Sequence, residues 1–281
     1  MPDAQTPDGF PHGLPDGLRV ERGDGVLRIT FDRPAQLNAL TAAMTDATAA
    51  LLERASADDA VRVVLLTGSG EGPGSAFSTG ADIGGADAHL HFDESALVRA
   101  NRLVRSIVRC DKPVVAAVNG VAAGVGCSTA LACDLVVAAG SSAFLLAFAR
   151  IGLMPDGGAS ATVAAAVGRA RAMRMALLAE PLSAREAYDA GLATHLVPDE
   201  ELRESVDRLV GRLADGPPLA FTATKRAVNA ATLGPVDAPP CGLDAALETE
   251  RVGQTLLLRT ADVAEGMRAF GEKRRPTFRG E

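Results

Sequence analysis

PVVAAVNGVAAGVGCSTALACDLVVAA, Pro113 to Ala139, is the stretch whose reading decides the fold. Its opening, PVVAAVNG, is an uninterrupted apolar run. A run of this kind without polar alternation reads as a strand buried on both faces, the habit of parallel sheet. The chain then leaves through small residues, NGVAAGVGCS (Asn119 to Ser128), and enters a short glycine-led helix, GVGCSTALAC. DLVVAA closes the stretch as a second buried strand.

Upstream the same grammar holds. VLRITF (Val26 to Phe31) alternates like a strand and is followed by a turn, DRPAQLNAL. TAAMTDATAALLERASAD then places Met44, Thr48, Leu51 and Ala55 at helical spacing, with Thr41 as the cap. VRVVLLTG (Val61 to Gly68) is another doubly buried strand, and 94–109 carries Leu97, Val104, Ile107 and Val108 on one helical face. Downstream, SAREAYDAGL contains a capping box, Ser183 with Glu186, and a stop at Gly191. Beyond about residue 200 the pattern is helical only, in three or four segments broken at GPVDAPP (Gly234 to Pro240). The pattern therefore predicts an α/β core over 19–200 with a helical appendage over 201–281. Residues 1–18, rich in Pro, Gly and Asp, are expected to form a loose arm.

The bulk properties narrow the function. Of 281 residues, 47% are hydrophobic but only 4% aromatic and none is Trp, so Ala, Val and Leu build the core. A formal net charge of −7 argues against a general nucleic-acid binder, whose affinity rests on cations neutralising phosphates. The N-terminus lacks the apolar region of a signal peptide, and no apolar run reaches the roughly 18 residues of a membrane helix. A soluble, cytoplasmic protein is expected. Cys110, Cys127, Cys133 and Cys241 show no metal-ligand spacing and read as free thiols.

Two loops could carry chemistry. FSTGAD (Phe77 to Asp82) and NGVAAGVGCS each leave a buried strand through small residues, which lets a ligand approach the backbone. Free N–H groups at a helix start, joined by one from the other loop, could form an oxyanion hole. The first loop lacks the GK[ST] ending of a phosphate-binding loop, and the second lacks GxGxxG spacing. Both loops are also compatible with a purely structural role.

FSTGADI, with PVVAAVNGVAAGVGCSTALACDLVVAA and SAREAYDAGLATHLV, resembles the crotonase, or enoyl-CoA hydratase/isomerase, superfamily, and the likeness runs from about Val20 to FGEKRRPTF near the C-terminus. The resemblance implies a spiral of ββα units, a C-terminal helical region for trimerisation, and an acyl-CoA substrate that brings its own coenzyme A. No metal or separate cofactor is implied. It implies further that the thioester oxygen is held by the backbone N–H groups of Ala81 and Val125. Ser78, Gly80, Asp82, Ile83, Gly124, Ser128 and Phe148 would surround the substrate, and Phe270 and Lys273 would meet CoA across a homotrimer or hexamer. Lys273 to Arg275 and Arg279 form a basic cluster suited to CoA phosphates or, equally, a solvated tail.

One departure decides the reaction. Hydratases of the superfamily activate water with two glutamates, and here Ser128 and Phe148 fall on those positions. Asp156, eight residues beyond Phe148 in GLMPDGGAS, falls where isomerase branches carry a carboxylate. The expected reaction is a shift of a 3-enoyl-CoA to the 2-enoyl-CoA by one base. Phe144, Leu146, Phe148, Leu153 and Met154, close in sequence, would raise the Asp156 pKa by desolvation. Other readings stay open: Asp156 as a helix cap, a dehalogenase using Asp156 with His89 or His91, a hydratase using Glu94 or Asp87, and a non-catalytic acyl-CoA carrier.

Overall fold

The computed structural model describes residues 13–72, 74–84, 93–234 and 242–279. Among them ten strands form two sheets. The larger runs β1 (Leu18–Gly23), β2 (Val26–Phe31), β3 (Val63–Gly68), β5 (Val114–Val118), β7 (Leu135–Ala139) and β10 (His195–Val197), parallel throughout except for the β1–β2 hairpin. The smaller sheet runs β4 (Ala76–Ser78), β6 (Val121–Ala123), β8 (Ala143–Leu145) and β9 (Leu182–Ser183), with only β9 antiparallel.

Helices follow the strands in a regular order. α1 (Ala42–Ala57) follows β2. Then come three units in which one strand enters each sheet before a helix: β3–β4–α2 (Glu94–Arg109), β5–β6–α3 (Val125–Leu131) and β7–β8–α4 (Ala159–Leu178). α4 is broken at Gly168, whose backbone (φ 74°, ψ 164°) is not helical. α5 (Ala184–Ala190) opens with the capping box of Ser183 and Glu186 and stops at Gly191 in the left-handed conformation. Four helices complete the chain, α6 (Leu202–Ala214), α7 (Pro218–Leu233), α8 (Leu243–Leu257) and α9 (Ala261–Gly271). The α/β core with repeated ββα units and a helical C-terminal region is thus the observed architecture.

The apolar runs are explained by burial on both faces. Ile29, Leu66, Ala116 and Val118 face the main core with the helices, whereas Val63, Leu65, Val115 and Val137 pack on the other side against Val206 and Val210 of α6. Phe31 and Phe77, ring centroids 5.5 Å apart at 80°, join the two sheets edge to face. Thr41 caps α1 by accepting the N–H of Met44.

Strand β1 begins at Leu18, the expected boundary between arm and core, and residues 1–12 of that expected arm lie outside the described residues. β4, β6, β8 and β9 are two or three residues long and carry no readable period, so only the family resemblance, through its ββα units, pointed to a second strand in each unit. The second sheet matters, because the C-terminal ends of its parallel strands build the site.

Candidate active site

β4, β6 and β8 lie side by side and parallel, so the segments that leave them meet at one end of the small sheet. Clefts beyond the carboxyl ends of parallel strands are where α/β proteins place ligands. Here a cavity of about 360 Å³ is lined by Ala81 and Asp82 after β4, Val125 after β6 and Asp156 after β8. The opposite wall comes from Leu40, Thr41 and Thr45 around the start of α1 and from Ala96, Arg99 and Ala100 of α2.

Close backbone approach brings the two loops together. A Cβ on Gly80, at φ +98°, would lie 3.0 Å from the Ala123 carbonyl and 3.2 Å from the Val125 nitrogen. One on Gly126 would lie 2.4 Å from the Ser78 carbonyl oxygen, so only glycine lets α3 sit on β4. Leu40 pairs across to the first loop: its N–H donates to Gly80 O (2.8 Å), and its carbonyl accepts from Asp82 N–H (2.9 Å). The intervening Ala81 N–H faces away from that bridge. Val125 is the first residue of α3, so its N–H has no intrahelical acceptor.

The turn before α1 is held by Asn38, fully buried and left-handed at φ 56°. Its amide donates to Ser69 O and Ala76 O, and its Oδ1 accepts the Arg33 N–H and the Ser69 hydroxyl. Arg33 then pairs with Asp82 at 2.8 Å.

Asp156 is 5% exposed. Its Oδ2 accepts from the Gln254 amide nitrogen at 3.0 Å, while Oδ1 has no partner among the described residues. Burial, and secondarily the negative charge of Glu250, pushes its pKa up to about 8. The side chain does not cap α4. Glu250 does, accepting the N–H groups of Gly158 (2.6 Å) and Ser160 (2.9 Å) and the Ser160 hydroxyl (2.5 Å). Burial raises the Glu250 pKa as well. Gln254 and Glu250 are fully buried on α8, about a hundred residues downstream, and no local sequence signal joins them to Asp156.

The remaining candidates are placed as follows. Ser128 is fully buried, and its hydroxyl donates to the Asp156 backbone carbonyl at 2.8 Å, tying α3 to the segment that carries Asp156. Ser78 is buried below the first loop, where its Oγ accepts the Gly80 N–H. Phe148 packs in the main core from a 3-10 turn, Ala147–Ile151. Gly124 precedes α3 at φ 53°, and Ile83 is half-buried beside the cavity-lining Asp82 and Gly84. Phe270 is 62% exposed and Lys273 is exposed at φ 53°; neither lines the cavity. In the basic cluster, Arg274 is paired with Glu265 and Glu272, and it holds Glu265 down to about 2.

Glu94 stands at the start of α2, ion-paired with Arg251 and away from the cavity lining. Asp87, His89, His91 and Cys241 lie outside the described residues. Cys110 and Cys127 are buried and Cys133 half-buried; burial raises all three thiol pKa values. Among the described residues no cluster of His, Cys, Asp or Glu could hold a metal, and no helix is long and apolar enough to cross a membrane.

Comparison with known proteins agrees with this geometry. Residues 21–281 match the family model for enoyl-CoA hydratase/isomerase. A probable enoyl-CoA hydratase of Rhodobacter capsulatus is 44% identical over 94% of this chain and 98% of its own. The 1,2-epoxyphenylacetyl-CoA isomerase of Escherichia coli is 38% identical over 92% and 96%. The crystal structure of an enoyl-CoA hydratase from Mycobacterium avium subsp. paratuberculosis superposes with a TM-score of 0.85, at 47% identity over 94% of this chain and 98% of that one. With the family model matched over residues 21–281 and relatives this similar over nearly their whole length, the chain is a member of the enoyl-CoA hydratase/isomerase family.

Proposed function

We propose that this protein is an acyl-CoA isomerase that moves a 3-enoyl double bond into conjugation with the thioester, with Asp156 as the single base. One observation carries the reading. Among the described residues, the cavity that holds Ala81 and Val125 is lined by one carboxylate not engaged by a cation, Asp156, whereas the other acid, Asp82, is paired with Arg33. Among the described residues lining the cavity, hydration in the two-acid manner finds no second unpaired acid, since Ser128 is hydrogen-bonded to the Asp156 backbone and Phe148 cannot carry a proton.

The reaction follows from these parts. The thioester oxygen accepts the N–H groups of Ala81 and Val125. Asp156 takes the proton from C2, and the electron pair moves onto the thioester oxygen as a dienolate extended over C2 to C4. Stationary donors aimed at that developing charge are the strongest help a site of this kind offers. The protonated Asp156 returns the proton at C4, leaving the double bond between C2 and C3. Proton and electron count are conserved, and no water enters. The named activities of the relatives, one a hydratase and one an isomerase, support the acyl-CoA substrate without choosing between the two reactions.

The test follows conjugated enoyl absorbance with a 3-enoyl-CoA and, separately, a 2-enoyl-CoA. Absorbance should rise from the 3-enoyl substrate, and Asp156→Asn should slow that rise by about 10²–10⁴-fold, the usual worth of a general base. Loss of absorbance from the 2-enoyl substrate, unaffected by the substitution, would make the protein a hydratase. Binding of CoA esters without either change would leave a carrier.

A further inference from the structure

We infer that Gln254 and Glu250, one helical turn apart on α8, are positioning residues that make Asp156 a usable base, an inference that rests on the isomerase reading. The geometry begins at the start of α4. Asp156 stands three residues before that helix, where free N–H groups ordinarily draw a carboxylate into a cap. A capping aspartate would be held in its charged form and turned toward the helix. Glu250 prevents this by occupying the N–H groups of Gly158 and Ser160 from the opposite side.

Gln254 then takes one oxygen of the carboxylate. Its amide donates to Asp156 Oδ2, so Oδ1 is the atom left to exchange a proton. The unpaired Oδ1 of Asp156 and Oε1 of Gln254 are both buried, an arrangement that ordinary cores avoid and functional sites keep. Asn101 donates to Leu247 O, Arg105 and Arg109 pair with Asp244, and Arg251 pairs with Glu94, so α8 is strapped to α2, the helix forming the facing wall. The strap fixes Gln254 relative to the cavity.

The two residues act on the proton in opposite directions. An amide donor favours the charged carboxylate, and a neighbouring negative charge disfavours it. Among the described residues, the other charged groups at the cavity are Arg99 of α2 and Asp82 of the first loop, the latter paired with Arg33; Ser128 of α3 is neutral and donates to the Asp156 backbone carbonyl, not to its carboxylate. Burial and, after it, the Glu250 charge are the causes that raise the Asp156 pKa.

Opposite signs provide the test. In the full chain, the ¹³C-carboxyl resonance of Asp156, assigned by its loss in Asp156→Asn, would be titrated without substrate, and kcat and KM would be followed across pH with a 3-enoyl-CoA. Gln254→Leu should raise the titration midpoint by about one pH unit, and Glu250→Gln should lower it by about as much. Gln254→Leu should also lower kcat about tenfold or more with KM little changed, the mark of an interaction serving the transition state. Unmoved midpoints, or midpoints that move the same way in both variants, would overturn the inference. Should Glu250→Gln fail to fold, the sign of the Gln254→Leu shift decides alone. The resonance titrates whether or not the enzyme isomerises, so an inactive wild type with the expected opposite shifts would sink the isomerase reading and leave the positioning of Asp156 standing.

Discussion

At the scale of single residues, Asp156 couples activity to stability with opposite signs. As a base it works only when ionised, and its pKa stands near 8, so kcat/KM for isomerisation should rise with pH and level off above about 8. For stability the sign reverses. The folded-state pKa lies above the unfolded value near 3.8, so between these limits the native chain binds the proton that the unfolded chain releases. Stability is therefore full below about pH 4 for this group and is lost as pH rises towards 8, by an amount on the order of several kcal/mol. Glu250, also raised by burial, adds a change of the same sign. Asp156→Asn, neutral at every pH, should flatten the decline and unfold at higher denaturant near pH 8 than wild type, even as activity is lost. An unchanged pH profile of urea midpoints in that variant would contradict the assigned burial.

At the scale of elements, the site depends on contact between β4 and α3. Both candidate oxyanion donors lie within a few residues of that contact, and it exists because position 126 has no side chain. Gly126→Ala inserts a methyl group 2.4 Å from the Ser78 carbonyl oxygen and 2.8 Å from its Cβ, and buried backbone cannot move aside cheaply. The substitution should lower unfolding free energy by about 1–3 kcal/mol, as overpacking does, and should lower kcat more than it raises KM by parting Ala81 from Val125. Denaturant titration and steady-state kinetics on one preparation check both. Ser128 works at the same level: a glutamate there would serve water chemistry, whereas serine joins α3 to the Asp156 carbonyl, turning the departure from the hydratase pattern into a brace.

At the scale of the whole molecule, large apolar side chains stand exposed on α4, α7, α8 and α9. Leu177, Leu178, Leu219, Val228, Leu256 and Phe270 are each more than half exposed. Patches of this kind mark association surfaces. Self-association into a homotrimer or a hexamer is the proposal they support, and it agrees with the position of Phe270 and Lys273 outside their own chain's cavity. Sedimentation equilibrium should return three or six times the 28.8 kDa chain mass. A monomer at micromolar concentration would overturn it.

The sequence by itself determined the elements that depend on local patterns. Doubly buried strands write themselves as unbroken apolar runs, as in Val63–Gly68 and Val114–Val118; the caps at Thr41 and Ser183 depend on residues three apart; and FSTGADI with GVGCS marks the loops. What the chain could not reveal are relations between distant residues. The two- and three-residue strands of the second sheet have no period to read, and Asn38 appears only as part of a turn until Arg33, Ser69 and Ala76 gather around it in four hydrogen bonds. For Asp156 the chain left a base and a helix cap both open, since an aspartate before a helix serves readily as a cap. Only the folding of α8 back over the core, which brings Glu250 to the cap and Gln254 to the carboxylate, removed the capping reading, because contacts between residues about a hundred positions apart leave no mark along the chain.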